Sequence, residues 1–251
     1  MEVNTKVNLS GLILDNPVIP ASGTYGFGKE YVDFYDINIL GSISIKGTTV
    51  QRRKGNPQPR IAECYSGLIN SVGLENPGME NVIQKELKDL EKIYRKPVIA
   101  NISGFSVEEY VTLAREMDKV DNVGIIEVNI SCPNVDHGGL AFGTNADNVR
   151  ELTKKIKEVT TKPIYMKLSP NVTDITEIAR AAEEGGADGI SLINTLMGMR
   201  IDINRRKPVI ANKKGGFSGP AIFPVALRMV YEVYEATNLP IIGIGGISSA
   251  E

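Results

Sequence analysis

Short, β-rich apolar runs recur along the chain with stretches of helical period between them, and no other feature constrains the fold as much. The runs are PVIPAS (17–22), SISIKG (42–47), PVIANISG (97–104), GIIEVNIS (124–131), PIYMKLS (163–169), GISLINT (189–195) and PIIGIGG (240–246). Between them apolar residues fall three or four apart: Ile83, Leu87 and Leu90; Tyr110, Leu113, Ala114 and Met117; Val149, Leu152, Ile156 and Val159. Ile175, Ile178, Ala179 and Ala182 continue the pattern, as do Leu227, Val230, Tyr231 and Tyr234. Each set lines one face of a helix. Ser106 followed by Glu109 is a capping box that fixes one helix start, and Gly185–Gly186 sits where a helix ends in a left-handed residue. Strands apolar throughout, separated by amphipathic helices, mean a parallel sheet covered by helices.

Two α/β architectures fit: an open doubly wound sheet and a closed (β/α)8 TIM barrel. No GxGxxG follows the first strand, which weakens the dinucleotide-binding version. Polar residues or glycines close nearly every run, and a barrel assembles its active site from those strand ends. The expectation is therefore a barrel. Only seven strands can be counted before the sequence stops at ISSAE, so the C-terminal eighth β/α unit is expected to be missing from this chain. We read residues 1–251 as one domain, with an N-terminal hairpin at about 7–16 against the barrel floor and an inserted hairpin region at about 196–220. The heptapeptide RKPVIAN occurs at 95–101, leading into a strand, and again at 206–212 inside the insertion.

A net charge of −2 argues against a nucleic-acid binder. The basic residues Arg200, Arg205, Arg206, Lys207, Lys213 and Lys214 read as a solvated hairpin. No run is long and apolar enough for a membrane span, and MEVNTKVNLS lacks a signal-peptide core. Two cysteines without CxxC spacing, and one histidine, give no disulfide framework and no protein metal site. The chain reads as cytoplasmic, with reduced thiols.

The residues at the strand ends carry the chemistry: Ser22, Lys46, Asn101, Asn129, Cys132, Lys167, Asn194, Thr195, Gly245 and Gly246. They offer amides, two ammonium groups, one thiol and glycine-exposed backbone. There is no carboxylate pair and no Ser–His–Asp set among them, so hydrolysis by the usual routes is poorly supported. Amides and lysines suit a flat, polar heterocycle carrying negative charge. The glycines of GIGGI let backbone N–H groups approach a phosphate, which barrels bind at their last two strand loops. FMN meets both requirements.

NSVGLENPG (70–78), VNISCPN (128–134), KLSPNVTD (167–174), INT (193–195), GGFSGPA (215–221) and GIGGI (243–247) together resemble dihydroorotate dehydrogenase, in order along the whole chain. LENPG combined with SCPNVDHGG is most similar to the NAD-linked class 1B catalytic subunits. The resemblance implies an FMN-dependent oxidation of dihydroorotate to orotate in pyrimidine biosynthesis, within an eight-stranded barrel. It implies that Ser22, Lys46, Gly47, Asn101, Asn129, Lys167, Ile193, Gly219, Gly245 and Gly246 hold FMN. Lys46, Asn70, Ser71, Val72, Gly73, Leu74, Asn129, Asn194 and Thr195 would hold substrate, and Cys132 would be the catalytic base. A thiol near its ordinary pKa of ~8.5 is a competent base where its surroundings favour the thiolate.

The same resemblance implies an electron-transfer subunit carrying FAD and an iron–sulfur cluster, which passes electrons to NAD. It further implies a homodimeric core within a heterotetramer. HGGLAFG (137–143) is a candidate lid, His137 a surface residue rather than a base, and Cys64 structural. Rival readings are a dihydropyrimidine dehydrogenase-like flavoenzyme, whose motif has histidine where this chain has Asn134, and a tRNA dihydrouridine synthase. An inactive truncated barrel is the non-catalytic alternative.

Overall fold

The computed structural model describes residues 3–131 and 142–250. An antiparallel hairpin opens the chain, β1 (Val7–Leu9) with β2 (Leu12–Leu14), followed by the short helix α1 (Ser22–Tyr25). A second hairpin pairs β3 (Ile61–Cys64) with β4 (Gly67–Asn70). Helical turns α2 (Met79–Asn81) and α3 (Leu87–Glu91) are joined by a π-helical stretch, Val82–Glu86. Strand and helix then alternate: β5 (Val98–Ile102), α4 (Val107–Asp118), β6 (Val123–Asn129), α5 (Ala146–Lys157), β7 (Ile164–Lys167), α6 (Ile175–Glu184) and β8 (Gly189–Leu192). An excursion of β9 (Leu196–Met199), β10 (Ile201–Asp202), β11 (Lys207–Pro208) and β12 (Lys214–Ser218) precedes α7 (Phe223–Ala236) and β13 (Ile241–Gly243).

The central sheet is parallel, in the order β13-β8-β7-β6-β5. Every residue of β5, β7 and β8 is buried, which is why these strands read as unbroken apolar runs rather than alternating ones. SISIKG extends the sheet beyond β5: Ile45 N–H donates to Ile99 O at 3.0 Å and Thr48 N–H to Asn101 O at 2.9 Å. PVIPAS forms no ladder, because Pro17 and Pro20 have no N–H to give, although Val18 O accepts Gly41 N–H at 3.0 Å. Among the described residues the sheet stays open between β13 and this N-terminal segment. The architecture is that of a (β/α) barrel short of its last unit.

Period-two alternation sorts the inward-facing side chains into layers. Ile99, Ile125 and Tyr165 form an apolar floor against which Leu9 and Leu14 of the first hairpin pack. One step towards the strand C-termini, the inner face turns polar and stays buried: Ser44, Asn101, Glu127, Lys167 and Ser191. The site stands on that layer.

Helix ends follow local chemistry. Ser106 Oγ accepts Glu109 N–H at 3.3 Å, while the Glu109 carboxylate reaches one residue further back than a capping box does, to Phe105 N–H at 2.7 Å. Gly186, at φ 92°, ends α6, and Ala187 N–H closes onto Ala182 O at 3.0 Å. The core faces of α4, α5 and α6 are those expected. The face of α7 is so only in part: Val230 packs half-buried against the core beside the buried Ala226, Met229 and Val233, whereas Leu227, Tyr231 and Tyr234 are exposed. Small Ala226 lets the helix approach Gly245 closely, since a Cβ added there would lie 2.9 Å from the Ala226 Cβ. Close approach outweighs side-chain size.

The excursion after β8 builds more than a hairpin. β12 pairs with β9 and also with β4, giving an antiparallel sheet in the order β3-β4-β12-β9. The two copies of RKPVIAN part company: the first feeds the buried β5, the second supplies the two-residue β11 in an exposed ribbon with β10. The basic residues around that ribbon are exposed. Cys64 is a half-buried free thiol on β3. No helix among the described residues is long and apolar enough to cross a membrane.

Candidate active site

The polar layer inside the sheet is organised around Glu127, which is 2% exposed. Its carboxylate accepts from Asn101 Nδ2 at 2.5 Å and Ser44 Oγ at 3.1 Å, and faces Lys167 Nζ at 3.4 Å. Burial pushes the Glu127 carboxyl up, but the Lys167 cation and the surrounding donors, Asn101 foremost, outweigh it and hold the group below its ordinary value. Lys167 Nζ also donates to Ser22 Oγ at 3.3 Å. Three of the expected cofactor residues, Ser22, Asn101 and Lys167, thus meet around a carboxylate that the sequence reading passed over.

Gly47 leaves its backbone bare beside this layer. A Cβ on Gly47 would stand 2.8 Å from Asn101 Oδ1 and 3.6 Å from both Ser103 Oγ and Leu74 Cδ2, so only glycine fits there. Among the described residues Asn101 Oδ1 and Ser103 Oγ are buried with no hydrogen-bond partner. Buried polar atoms are rarely left unpaired, so these two call for a polar ligand. The neighbouring Lys46 is half-buried, its backbone held by Gly26 O at 2.8 Å. Burial lowers the Lys46 pKa, with Glu75 opposing the shift and Arg60 adding to it.

Residues 70–78 lie against 49–60 through a dense set of bonds. The buried Asn76 amide donates to Thr49 Oγ1 at 2.8 Å and Leu74 O at 2.7 Å, and accepts from Gly78 N–H at 2.9 Å. Asn56 donates to Ser71 O and to Val72 O, both at 2.9 Å, and Ser71 N–H reaches Arg60 O at 2.8 Å. Gly73 and Leu74 take positive φ, 78° and 55°. Ser71 Oγ is another buried atom without a partner. The antiparallel sheet brings Asn70 to the strand ends: its Nδ2 donates to Gly216 O at 3.4 Å, and Gly216 abuts Thr195.

Asn129 and Asn194 meet directly, Nδ2 of the latter donating to Oδ1 of the former at 3.1 Å. Asn194 Oδ1 takes Thr195 N–H at 2.7 Å, and Asn171 of the KLSPNVTD motif donates to Thr195 O at 3.0 Å. Ile193 N–H donates to Ile244 O at 3.0 Å, which sets Ile193 beside Gly245. Gly219, Gly245 and Gly246 all have positive φ, and a Cβ on Gly246 would lie 2.9 Å from Gly219 O. They adjoin the Phe223–Ala236 helix start, which has no side-chain cap. Glycines against an uncapped helix N-terminus suit a phosphate.

Cys132, with Pro133, Asn134 and His137, lies outside the described residues, as does most of the candidate lid. The chain leading to Cys132 is anchored at Ser131, whose N–H reaches Asn129 Oδ1 at 3.2 Å and whose Oγ reaches Lys167 O at 3.3 Å. Sequence reasoning missed Glu127, Ser44 and Asn76. For Glu127 the signal was visible, a lone carboxylate inside the apolar run GIIEVNIS.

Residues 4–251 match the family described as dihydroorotate dehydrogenase. Similar proteins named dihydroorotate dehydrogenase B (NAD(+)), catalytic subunit, come from Bacillus cytotoxicus, Bacillus cereus and Bacillus anthracis. Each is 57% identical over 246 residues, covering 98% of this chain and 79% of the relative. A crystal structure of DHODH from Eimeria tenella in complex with ferulenol shares the fold, with a TM-score of 0.77 at 20% identity over 98% of this chain and 74% of that one. The chain belongs to the dihydroorotate dehydrogenase family.

Proposed function

We propose that this chain is the catalytic subunit of an NAD-linked dihydroorotate dehydrogenase, oxidising (S)-dihydroorotate to orotate in pyrimidine biosynthesis. Family membership along residues 4–251 is the observation that carries the proposal. It implies FMN, and the residues present fit that cofactor: buried polar atoms at Asn101 and Ser103 unpartnered among the described residues, a bare backbone at Gly47, a lysine in the polar layer, and clustered glycines at a helix start. Ser22, Lys46, Gly47, Asn101, Asn129, Lys167, Ile193, Gly219, Gly245 and Gly246 would hold it. When bound, FMN supplies the hydride acceptor, and the protein supplies position and a base.

The chain's own groups divide the remaining work. Lys46 meets the substrate carboxylate. Asn129, Asn194, Thr195 and residues Asn70 through Leu74 pair with the ring amides and carbonyls, rejecting analogues that would leave these buried amides unsatisfied. Cys132 removes the ring-carbon proton. Residues 1–251 form a single flavin-binding domain carrying the two hairpin regions, and the protein works in the cytoplasm. Electrons leave through a partner subunit with FAD and an iron–sulfur cluster, in a heterotetramer built on a homodimeric core.

An absorption spectrum taken before and after anaerobic addition of dihydroorotate tests the reading. A flavin band that bleaches supports it; a chain purified colourless that takes up no FMN, or a band that dihydroorotate leaves unchanged, removes it. NAD reduction by the purified chain without any partner would overturn the subunit assignment.

A further inference from the structure

Glu127 occupies the middle of a strand whose other residues are almost all apolar and buried. A carboxylate so placed needs a cation and donors to offset its lost hydration. Lys167 at 3.4 Å, Asn101 at 2.5 Å and Ser44 at 3.1 Å provide them, each from a different segment of the sheet. An ionised carboxylate only accepts hydrogen bonds, so Asn101 must turn its NH2 towards Glu127 and its Oδ1 away. That oxygen is the buried atom beside the bare Gly47 backbone, and it has no partner among the described residues.

We propose that Glu127 is a positioning residue for the flavin site. Its carboxylate fixes the Asn101 amide as an acceptor beside the bare Gly47 backbone and holds the Lys167 ammonium beside Ser22. The ligand edge that settles over Gly47 therefore brings an N–H or O–H donor, because a carbonyl there would meet Asn101 Oδ1 lone pair to lone pair. Glu127 touches neither substrate nor cofactor; it acts through Asn101 and Lys167. The inference rests on the FMN reading above.

A merely structural role would survive Glu127→Gln, which preserves shape. Glutamine can present either oxygen or nitrogen to Asn101, so the amide orientation is no longer dictated, and Lys167 loses its counter-ion. The experiment titrates FMN onto the apoprotein of wild type, Glu127→Gln, Lys167→Gln and the double variant, and measures the bound flavin's midpoint potential by dye equilibration. Glu127→Gln is expected to weaken FMN binding about tenfold or more. Removing negative charge beside a group that gains electrons should also raise its potential, by about 30 mV for a tenfold change in a two-electron couple. In the Lys167→Gln background the same substitution should shift the potential less, because the two residues act as a unit. FMN affinity and potential both unchanged in Glu127→Gln would overturn the proposal, while a wild-type chain that binds no FMN would overturn the flavin reading and this inference with it. Should Glu127→Gln fail to fold, Ser44→Ala decides: FMN binding weaker by about threefold upholds the role, and unchanged binding overturns it.

Discussion

Asn194 Nδ2 donates to Asn129 Oδ1 across 3.1 Å, tying the end of β8 to the end of β6 although the residues are 65 apart in sequence. The Asn129 oxygen takes Ser131 N–H as well, so that oxygen is occupied and the Asn129 amide has only its N–H groups left to offer. The Asn194 oxygen is occupied in the same way by Thr195 N–H. These N–H groups are the ones proposed to meet the carbonyl oxygens of the pyrimidine. Asn194→Ala should raise the dihydroorotate KM by about 10- to 100-fold while FMN remains bound, the loss of one to two buried hydrogen bonds. Asn194→Asp should be worse, because it sets a carboxylate against the Asn129 oxygen and near an anionic substrate. Steady-state kinetics of the two variants check this; Asn194→Asp binding substrate better than Asn194→Ala would contradict it.

The depressed pKa of Lys46 gives a pH signature with two opposite slopes. Burial disfavours the charged form in the folded state, so between the lowered folded value and the ordinary 10.5 the unfolded chain carries more protons. Stability contributed by this group therefore rises with pH through that window. Affinity for a carboxylate ligand must fall through the same window, as the ammonium that would receive it is lost. Thermal melts and orotate titrations from neutral to alkaline pH should diverge in wild type. In Lys46→Met the divergence should vanish, with orotate affinity low at every pH.

Much of this arrangement was legible in the sequence because strand ends carry the site and strands are easy to read. Asn101, Asn129 and Lys167 lie at the ends of β5, β6 and β7, and Lys46 and Ser22 follow apolar runs packed beside that sheet, Ser22 against Lys167. What stayed hidden depends on tertiary pairing. Residues 61–70 pair with each other as a hairpin whose β4 also takes β12, far along the chain, as a partner, and nothing local announces that partner. The exposed stripe of α7 is the more apolar-looking one, yet the backbone at Gly245 admits only the stripe with the small Ala226. Identical RKPVIAN segments ended in a buried strand and an exposed ribbon, so strand formation followed the neighbours and not the residues.

Cys132→Ala should separate binding from chemistry. The groups proposed to hold FMN and substrate are other residues, and Ser131 is fastened to β6 and β7 by its own N–H and hydroxyl. The variant is expected to be yellow and to bind orotate, but to show flavin reduction by dihydroorotate slowed by about 100-fold or more, in the range of a lost general base. Cys132→Ser should retain a trace, since a hydroxyl is a far weaker base than a thiolate near neutral pH. Stopped-flow reduction rates compare the three proteins, and unchanged reduction in Cys132→Ala would end the assignment of Cys132 as the base.

Gly216 offers a test of the substrate side alone. It lies on β12 between Asn70 on β4 and Met197 on β9, and a Cβ there would come within 2.0 Å of Thr195 Oγ1. Gly216→Ala must push Thr195 aside, and Thr195 is held to Asn194 and Asn171. Overpacking of this kind costs about 1–3 kcal/mol. The strain falls on the antiparallel sheet and on Thr195 and Asn194, the residues proposed to hold substrate, not on the polar layer around Glu127. Dihydroorotate affinity should therefore fall by about 5- to 100-fold while FMN affinity and flavin potential stay at wild-type values. Thr195→Ser in the Gly216→Ala background frees the hydroxyl to turn into the space of the lost methyl, away from the new Cβ, and should recover part of the loss. Equal losses of FMN and substrate would show instead that the antiparallel sheet and the central barrel respond as one body.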